Sequence, residues 1–487
     1  MPNIKPIILD GSTLEGGGQL TRVALSLSAI CNIPITIHSI RANRGSQSSR
    51  HKDPHSHSDR GRRHQAPSKS RHEEKKLTSK ADGGLKESHL AALQWLAHQC
   101  DAYVDGAEVG SREITFIPGI GKQNQKPSKN TKNNLVDMET NTITLQNPGS
   151  IWLIFQALYP FIIFANPNHP YPTKPTQTTS DNPNSETAIE LTLHGGTNVS
   201  KSMSTEYIQQ VFIPTCQLLG LPKTTIQVLN RGWANNTPEI GTVKILIQHP
   251  LTSISFLPLP AFTLPSPSGP ITKIAITILA NPASTATYIH QTLLRTIKTH
   301  FPYNPTLQTD LIQSEDTNDP RRLYILLVAH TSANTVLGRD FLGSGRTPKN
   351  ESELHRILDN ACETVTRDLK SEVRRGGALD EFMQDQIVVF QALAKGRSVV
   401  HGGVWEKNVD GKGDGNGNED EEVGDQSGSL HARTVRWVCD RMLTGKSTGR
   451  GVVFEPGGVC EGVGWGGERE TGDLEKKMEG IGLGNDG

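Results

Sequence analysis

The sequence predicts an α/β (α+β) fold: repeated strand–helix units with helices packed on small four-stranded sheets, plus a smaller inserted α/β subdomain. Three observations predict it. Short apolar runs alternate with period two, as in half-buried strands, while longer stretches repeat apolar residues at helical spacing. Glycine pairs and triplets stand between the two kinds of run. The order strand, Gly-rich turn, helix, strand then returns several times along the 487 residues.

The first unit opens on a strand at Ile7-Ile8-Leu9 and turns through Gly16-Gly17-Gly18 into a helix from about Gln19. Leu20, Val23, Leu27 and Ile30 share one face of that helix, and Ile33, Ile35 and Ile37 alternate as the next strand. In the second unit Gly83-Gly84 precedes a helix with Leu90, Leu93, Ala97 and Cys100 on one face; Ile114 and Phe116 follow. A third unit places Gly149-Ser150 before a helix at 151–164, then a strand at 188–194, Gly195-Gly196 and a helix at 204–219. Helices are expected at Asp380–Ala394 and Leu430–Leu443, and a strand at Gly451–Phe454. Residues 253–340 break the rhythm and read as the inserted subdomain, leaving 1–252 and 341–465 as a large domain.

Four polar tracts separate these segments. Residues 45–82 hold ten Lys or Arg against five Asp or Glu, together with five His. The tract 121–135 is rich in Asn and Lys, and 166–187 in Pro, Thr and Asn. Residues 406–429 carry eight acids against two lysines among many glycines. None has an apolar period, so each reads as a solvated loop or disordered insertion, as does the tail at 466–487.

Composition bounds the function. Lys plus Arg equals Asp plus Glu at 50 each, so a polyanionic partner would have to be met by local clusters of charge. The six cysteines are scattered with no C-x-x-C pair, which indicates neither a zinc site nor a disulfide framework and suits a reducing compartment. No signal peptide is read at the N-terminus. The most apolar run, Ile151–Ala165, is short for a membrane span and contains Gln156 and Pro160, so a buried helix in a soluble intracellular protein is expected.

Chemistry concentrates around the first glycine triplet. A Gly-rich helix start exposes backbone N–H groups and admits a phosphate closely, although the same triplet also suits a plain tight turn. Glu15 just before it supplies a carboxylate of the kind that holds Mg²⁺. Arg22, Arg41 and Arg44 supply guanidinium groups able to clamp phosphate oxygens, or else to sit solvated on the surface.

The order of these residues resembles the RNA 3′-terminal phosphate cyclase family. The resemblance starts with Asp10-Gly-Ser-Thr-Leu-Glu-Gly-Gly-Gly-Gln-Leu-Thr-Arg22 and Ile40-Arg-Ala-Asn-Arg44. It continues through Gly84-Leu85…His89-Leu90, Gly110-Ser111…Phe116…Pro118-Gly119 and Gly149-Ser150…Gln156. Gly195-Gly-Thr-Asn-Val199, Asp380-Glu-Phe-Met-Gln-Asp-Gln386 and Leu430-His-Ala-Arg-Thr434 complete it, in order from residue 7 to about 465.

The resemblance implies an ATP-dependent ligase that converts an RNA 3′-phosphate to a 2′,3′-cyclic phosphate, with Mg²⁺ or Mn²⁺, through a covalent histidyl-AMP and an RNA-adenylate. His431 matches the adenylylated histidine; neutral imidazole is nucleophilic near pH 7 and its phosphoramidate stays reactive. Gln156, Met203, Phe382, Asp385 and Gln386 match ATP-contacting positions, Phe382 where an aromatic stacks on adenine. Glu15 matches the metal contact; Arg22, Arg41, Arg44 and His89 match the surface that receives the terminal phosphate. Residence in the nucleus, with the cytoplasm as a second location, is the family expectation.

Departures from the pattern are specific. Met203 stands where a proline usually borders the adenine, Ser88 where Gln is common, and the Gly-rich run expected after Arg231-Gly232 is reduced to Pro-Glu-Ile-Gly241. The tract 45–82 separates Arg44 from His89, and 406–429 stands close before His431. Two other readings share the fold: a non-catalytic relative acting in ribosome assembly, and a degenerate copy whose insertions spoil the site.

Overall fold

The computed structural model describes residues 5–42, 83–120, 134–164, 173–175, 187–235, 238–249, 258–264, 269–302, 304, 306–403, 428–444 and 451–466. Arg44, the basic tract, nearly all of the Asn/Lys-rich and acidic tracts, and the tail from 467 lie outside the described residues.

The first unit runs β1 (Ile7–Asp10), α1 (Gly18–Cys31), β2 (Ile35–His38), α2 (Glu87–Gln99), β3 (Tyr103–Asp105), β4 (Ile114–Ile117), with sheet order β1-β2-β4-β3. Every residue of α1 is buried, polar ones included, so Gln19 and Arg22 must find partners largely inside the protein.

The second unit contains β5 (Val136–Asp137), β6 (Thr142–Thr144), α3 (Ile151–Phe164), β7 (Thr173–Pro175), β8 (Thr187–Gly195), α4 (Thr205–Tyr207), a π turn at Ile208–Phe212, α5 (Ile213–Leu218), β9 (Thr224–Asn230) and β10 (Gly241–His249). Its sheet has six strands rather than the expected four, in the order β5-β6-β8-β10-β9 with β7 also on β8. The reason is the length of β8: one edge pairs β6 along Thr192–His194 and still has Thr187–Ile189 left for β7. Part of the 166–187 tract is therefore strand, not loop. α3 is the buried helix expected from its apolar run, Pro160 included. No helix among the described residues is long and apolar enough to cross a membrane.

After β11 (Thr263–Leu264) come β12 (Ile271–Leu279), α6 (Ala283–His300), β13 (Gln308–Glu315), β14 (Tyr324–Thr331), β15 (Val336–Leu342) and α7 (Glu351–Arg375). Their sheet, β13-β12-β14-β15, carries a second core in which Ile276, Ile289, Leu293 and Leu327 meet Leu358, Val365 and Leu369 of α7. That core thus takes in residues beyond 340. α7 has complete end signals: Asn350 accepts from Glu353 N–H at 2.8 Å, acids fill the first turn, Arg374 and Arg375 the last, and Gly376 closes in the left-handed region.

The chain ends with α8 (Glu381–Leu393), β16 (Lys395–Val400), α9 (Leu430–Leu443), β17 (Val453–Glu455) and β18 (Val459–Val463), the sheet being β11-β16-β18-β17. α1 packs on α2, α3 and α9, and α9 on α8. Helices from both ends of the sequence so share the core that holds the site.

Candidate active site

α9 begins where Ser429 caps it, accepting from Ala432 N–H at 3.2 Å. Gln384 fixes that cap from α8: its Oε1 accepts from Ser429 N–H at 3.3 Å, and its Nε2 donates to the Gly402 carbonyl at 2.9 Å. His431 stands in the first turn, 53% exposed, with Nδ1 3.6 Å from Oε2 of Glu15, which is only 8% exposed. The Glu15 N–H donates to Thr434 Oγ1 at 3.3 Å, one turn further along α9. Two sequence motifs from opposite ends of the chain meet at this point.

Beside them lies a buried cluster of cationic and imidazole side chains. Arg22, Arg41 and His89 are 8%, 8% and 3% exposed. His89 and Arg22 both close over Gly18: a Cβ there would overlap His89 Nε2 and lie 2.9 Å from Arg22 Nη1. Only glycine leaves that space. Ser39 and Arg41 both adopt left-handed backbone, turning Arg41 inward, and its Nη1 lies 3.5 Å from the Gly84 carbonyl. Burial holds the His89 imidazole well below its usual 6.5, and Arg22, Arg41 and Lys86 push the same way. Burial also lowers Arg22 to about 10, with Asp385 opposing and Arg41 adding. The pocket therefore presents two cations and a neutral imidazole, an arrangement that favours an anion.

Asp385 balances it. Gln19 Nε2 donates to Asp385 Oδ2 at 2.8 Å, and the Gln19 carbonyl accepts from Arg22 Nη2. Gln386 Nε2 donates to the same carboxylate oxygen at 2.6 Å. Burial raises Asp385 to about 7, with Arg22 pulling it down. Phe382, Asp385 and Gln386 share one face of α8 by their spacing of three and four residues. Phe382 is 39% exposed and meets Tyr207 edge-on, centroids 5.9 Å apart. Met203 is buried in the main core two residues before α4, the helix that carries Tyr207. Gln156 is half-buried on α3, its Oε1 without a hydrogen-bond partner among the described residues.

The sequence reading missed Gln19 and Gln384. Gln19 had a signal, its i, i+3 relation to Arg22 on α1; the bond from Gln384 to the α9 cap had none, because it forms between distant segments. Among the described residues no three His, Cys, Asp or Glu form a ready metal cluster. Glu15 nonetheless fits a Mg²⁺-type ion, which takes one or two carboxylates and completes its shell from substrate phosphates. Its carboxylate folds over Gly17, whose missing Cβ leaves it room beside the anion pocket.

Repeated α/β units bring a glycine-bordered cluster of Arg22, Arg41 and His89 near an accessible histidine beside a carboxylate, an arrangement of the class suited to phosphate groups. A family model described as RNA 3′-terminal phosphate cyclase matches residues 71–446, and the chain belongs to that family. Among its relatives, the RNA 3′-terminal phosphate cyclase of Drosophila melanogaster is 27% identical over 465 residues, covering 94% of this chain and 97% of the relative. The "Probable RNA 3′-terminal phosphate cyclase" of Dictyostelium discoideum is 26% identical over 399 residues (81% and 72%). The RNA 3′-terminal phosphate cyclase of Korarchaeum cryptofilum is 25% identical over 450 residues (92% and 96%).

Proposed function

We propose that the chain is an ATP-dependent ligase that cyclises RNA 3′-phosphate ends, with His431 as the covalent nucleophile. The observation that carries this reading is the pairing of His431 with Glu15 at the mouth of the Arg22–Arg41–His89 pocket.

In the proposed course, Glu15 beside Nδ1 keeps the imidazole proton there and leaves the Nε2 lone pair for attack. Nε2 bonds to the α-phosphorus of ATP as the bond to diphosphate breaks. An oxygen of the RNA 3′-phosphate, held by Arg22, Arg41 and His89, with Arg44 as the family's further contact, then takes the AMP and restores the imidazole. The neighbouring 2′-hydroxyl attacks the terminal phosphorus, losing its proton, and AMP leaves from a 2′,3′-cyclic phosphate. Phe382, Asp385, Gln386, Gln156 and Met203 surround the nucleotide in this reading. Mg²⁺ or Mn²⁺ at Glu15 would neutralise charge on the triphosphate. We place this activity in the nucleus, as the family expectation has it.

A non-catalytic relative in ribosome assembly has no use for an accessible histidine beside a buried carboxylate, which supports the reading as an enzyme. Incubation with α-labelled ATP and Mg²⁺ tests it: wild type should acquire acid-labile label and His431→Ala none. Equal labelling of the two proteins would overturn the proposal, and binding to pre-ribosomal particles without labelling would support the assembly factor instead.

A further inference from the structure

We propose that Arg339, on β15, is a positioning residue for the nucleotide base: it backs one face of Phe382 and leaves the opposite face as a shelf for adenine. The inference rests on the reading of Phe382 as the base-stacking aromatic and adds a residue to it from the second core.

The Arg339 guanidinium centre lies 4.5 Å from the Phe382 ring centroid, a cation–π distance. The side chain is only 11% exposed, and acids on two elements hold it. Its Nη2 donates to Glu372 of α7 and, at 2.7 Å, to Glu381 Oε2. Glu372, 1% exposed, also receives Arg375 Nη1 at 2.7 Å, so its charge and that of Arg339 are shared with Arg375 and Glu381 nearer the surface.

The ring's second contact is equally fixed. Tyr207 meets Phe382 edge-on at an interplanar angle of 77° and donates its hydroxyl to Asp380 Oδ1 at 2.5 Å. Asp380 Oδ2 accepts from Gly338 N–H, the residue before Arg339, at 2.7 Å. Gly338 packs so tightly on Tyr207 that an added Cβ would come within 2.8 Å of the ring. One face and one edge of Phe382 are thus covered by rigid neighbours, yet the residue stays 39% exposed. A flat apolar surface held still in this way takes a base without the entropic cost of ordering a mobile ring. Stacking accepts any base, so the shelf supplies affinity and leaves the choice of base to polar neighbours.

The test uses the full chain and measures ATP in two ways, by equilibrium dialysis and by the ATP dependence of labelling on His431. Phe382→Leu should weaken ATP roughly tenfold, the loss of one base stack. Arg339→Lys keeps the charge against Glu372 and Glu381 but loses the flat guanidinium, and should weaken ATP about threefold with maximal labelling rate and RNA half-saturation unchanged. Placed in the Phe382→Leu background, Arg339→Lys should add nothing, because the two act through one surface. Full additivity, or a fall in maximal rate with weakening of both substrates, would reduce Arg339 to an interface contact and overturn the inference. Unchanged ATP binding by Phe382→Leu would remove the shelf itself, whereas labelling of His431 would still report on the proposed reaction.

Discussion

Gln19 and Asp385 are joined by a 2.8 Å hydrogen bond between α1 and α8, and the other end of the Gln19 amide holds Arg22. The anion pocket and the helix bearing Phe382, Asp385 and Gln386 are therefore set by one side chain. Gln19→Ala should leave Arg22 and Asp385 short of a buried partner each and cost about 2 kcal/mol of stability. The same variant should raise RNA 3′-phosphate half-saturation on the order of tenfold, since Arg22 loses its orientation. Unchanged half-saturation would show that Arg22 is held by other means.

Gly18→Ala separates the two substrates. The new methyl would overlap His89 Nε2 and crowd Arg22 Nη1, the groups nearest to it. Labelling from ATP should persist within about threefold, and use of an RNA 3′-phosphate should fall at least about tenfold. Equal losses in both half-reactions would place the glycine's role elsewhere.

His89 predicts a pH dependence of stability. Its folded pKa lies well below 6.5, so near and below 6.5 the unfolded chain binds a proton that the folded chain excludes. This contribution is present above 6.5 and is lost as pH falls below it. Melting temperature should therefore drop more steeply between about pH 7 and 5 in wild type than in His89→Gln. Asp340 and Asp380, raised by burial to about 6, and Asp385, raised to about 7, act with the opposite sign and are common to both proteins. Parallel curves would contradict a neutral buried His89.

Asp380 should be the most sensitive contact between α8 and β15. It accepts from Tyr207 Oη, Phe382 N–H, Met383 N–H and Gly338 N–H at 2.5, 3.0, 3.1 and 2.7 Å. Asp380→Ala removes a helix cap and strands buried donors, a loss of about 3 kcal/mol in denaturant unfolding. A loss below about 1 kcal/mol would mean that these donors find replacements on relaxation.

Elements that announce themselves locally were legible. Leu430–Leu443 is helical over the whole predicted span, and Gln19, Leu20, Val23 and Leu27 lie on α1 as their spacing requires. β7 was not legible, because Thr173–Pro175 becomes strand only by pairing with spare length on β8. α7 had local signals in Asn350 and Gly376, but its membership in the second core depends on Leu358 and Val365 meeting α6 and β14, which spacing does not reveal. At the site, the glycines and charges that sit together in sequence pointed to Glu15 and Arg22, whereas His89 and His431 were marked only by the resemblance to the cyclase family. Bonds made between segments, such as Gln384 to Ser429 and Arg339 on Phe382, follow only from three-dimensional packing.

His431 projects from the first turn of α9 with half its side chain in solvent, whereas Gln19 and Arg22 belong to a helix that is buried throughout. Substitutions at such an exposed position shift stability by about 0.5 kcal/mol or less, but those in α1 would cost several times more. Descendants of this fold could lose the proposed nucleophile and remain folded, keeping the Arg22, Arg41 and His89 cluster intact. Inheritance of the scaffold is thus more durable than inheritance of the reaction, and position 431 is where the two part.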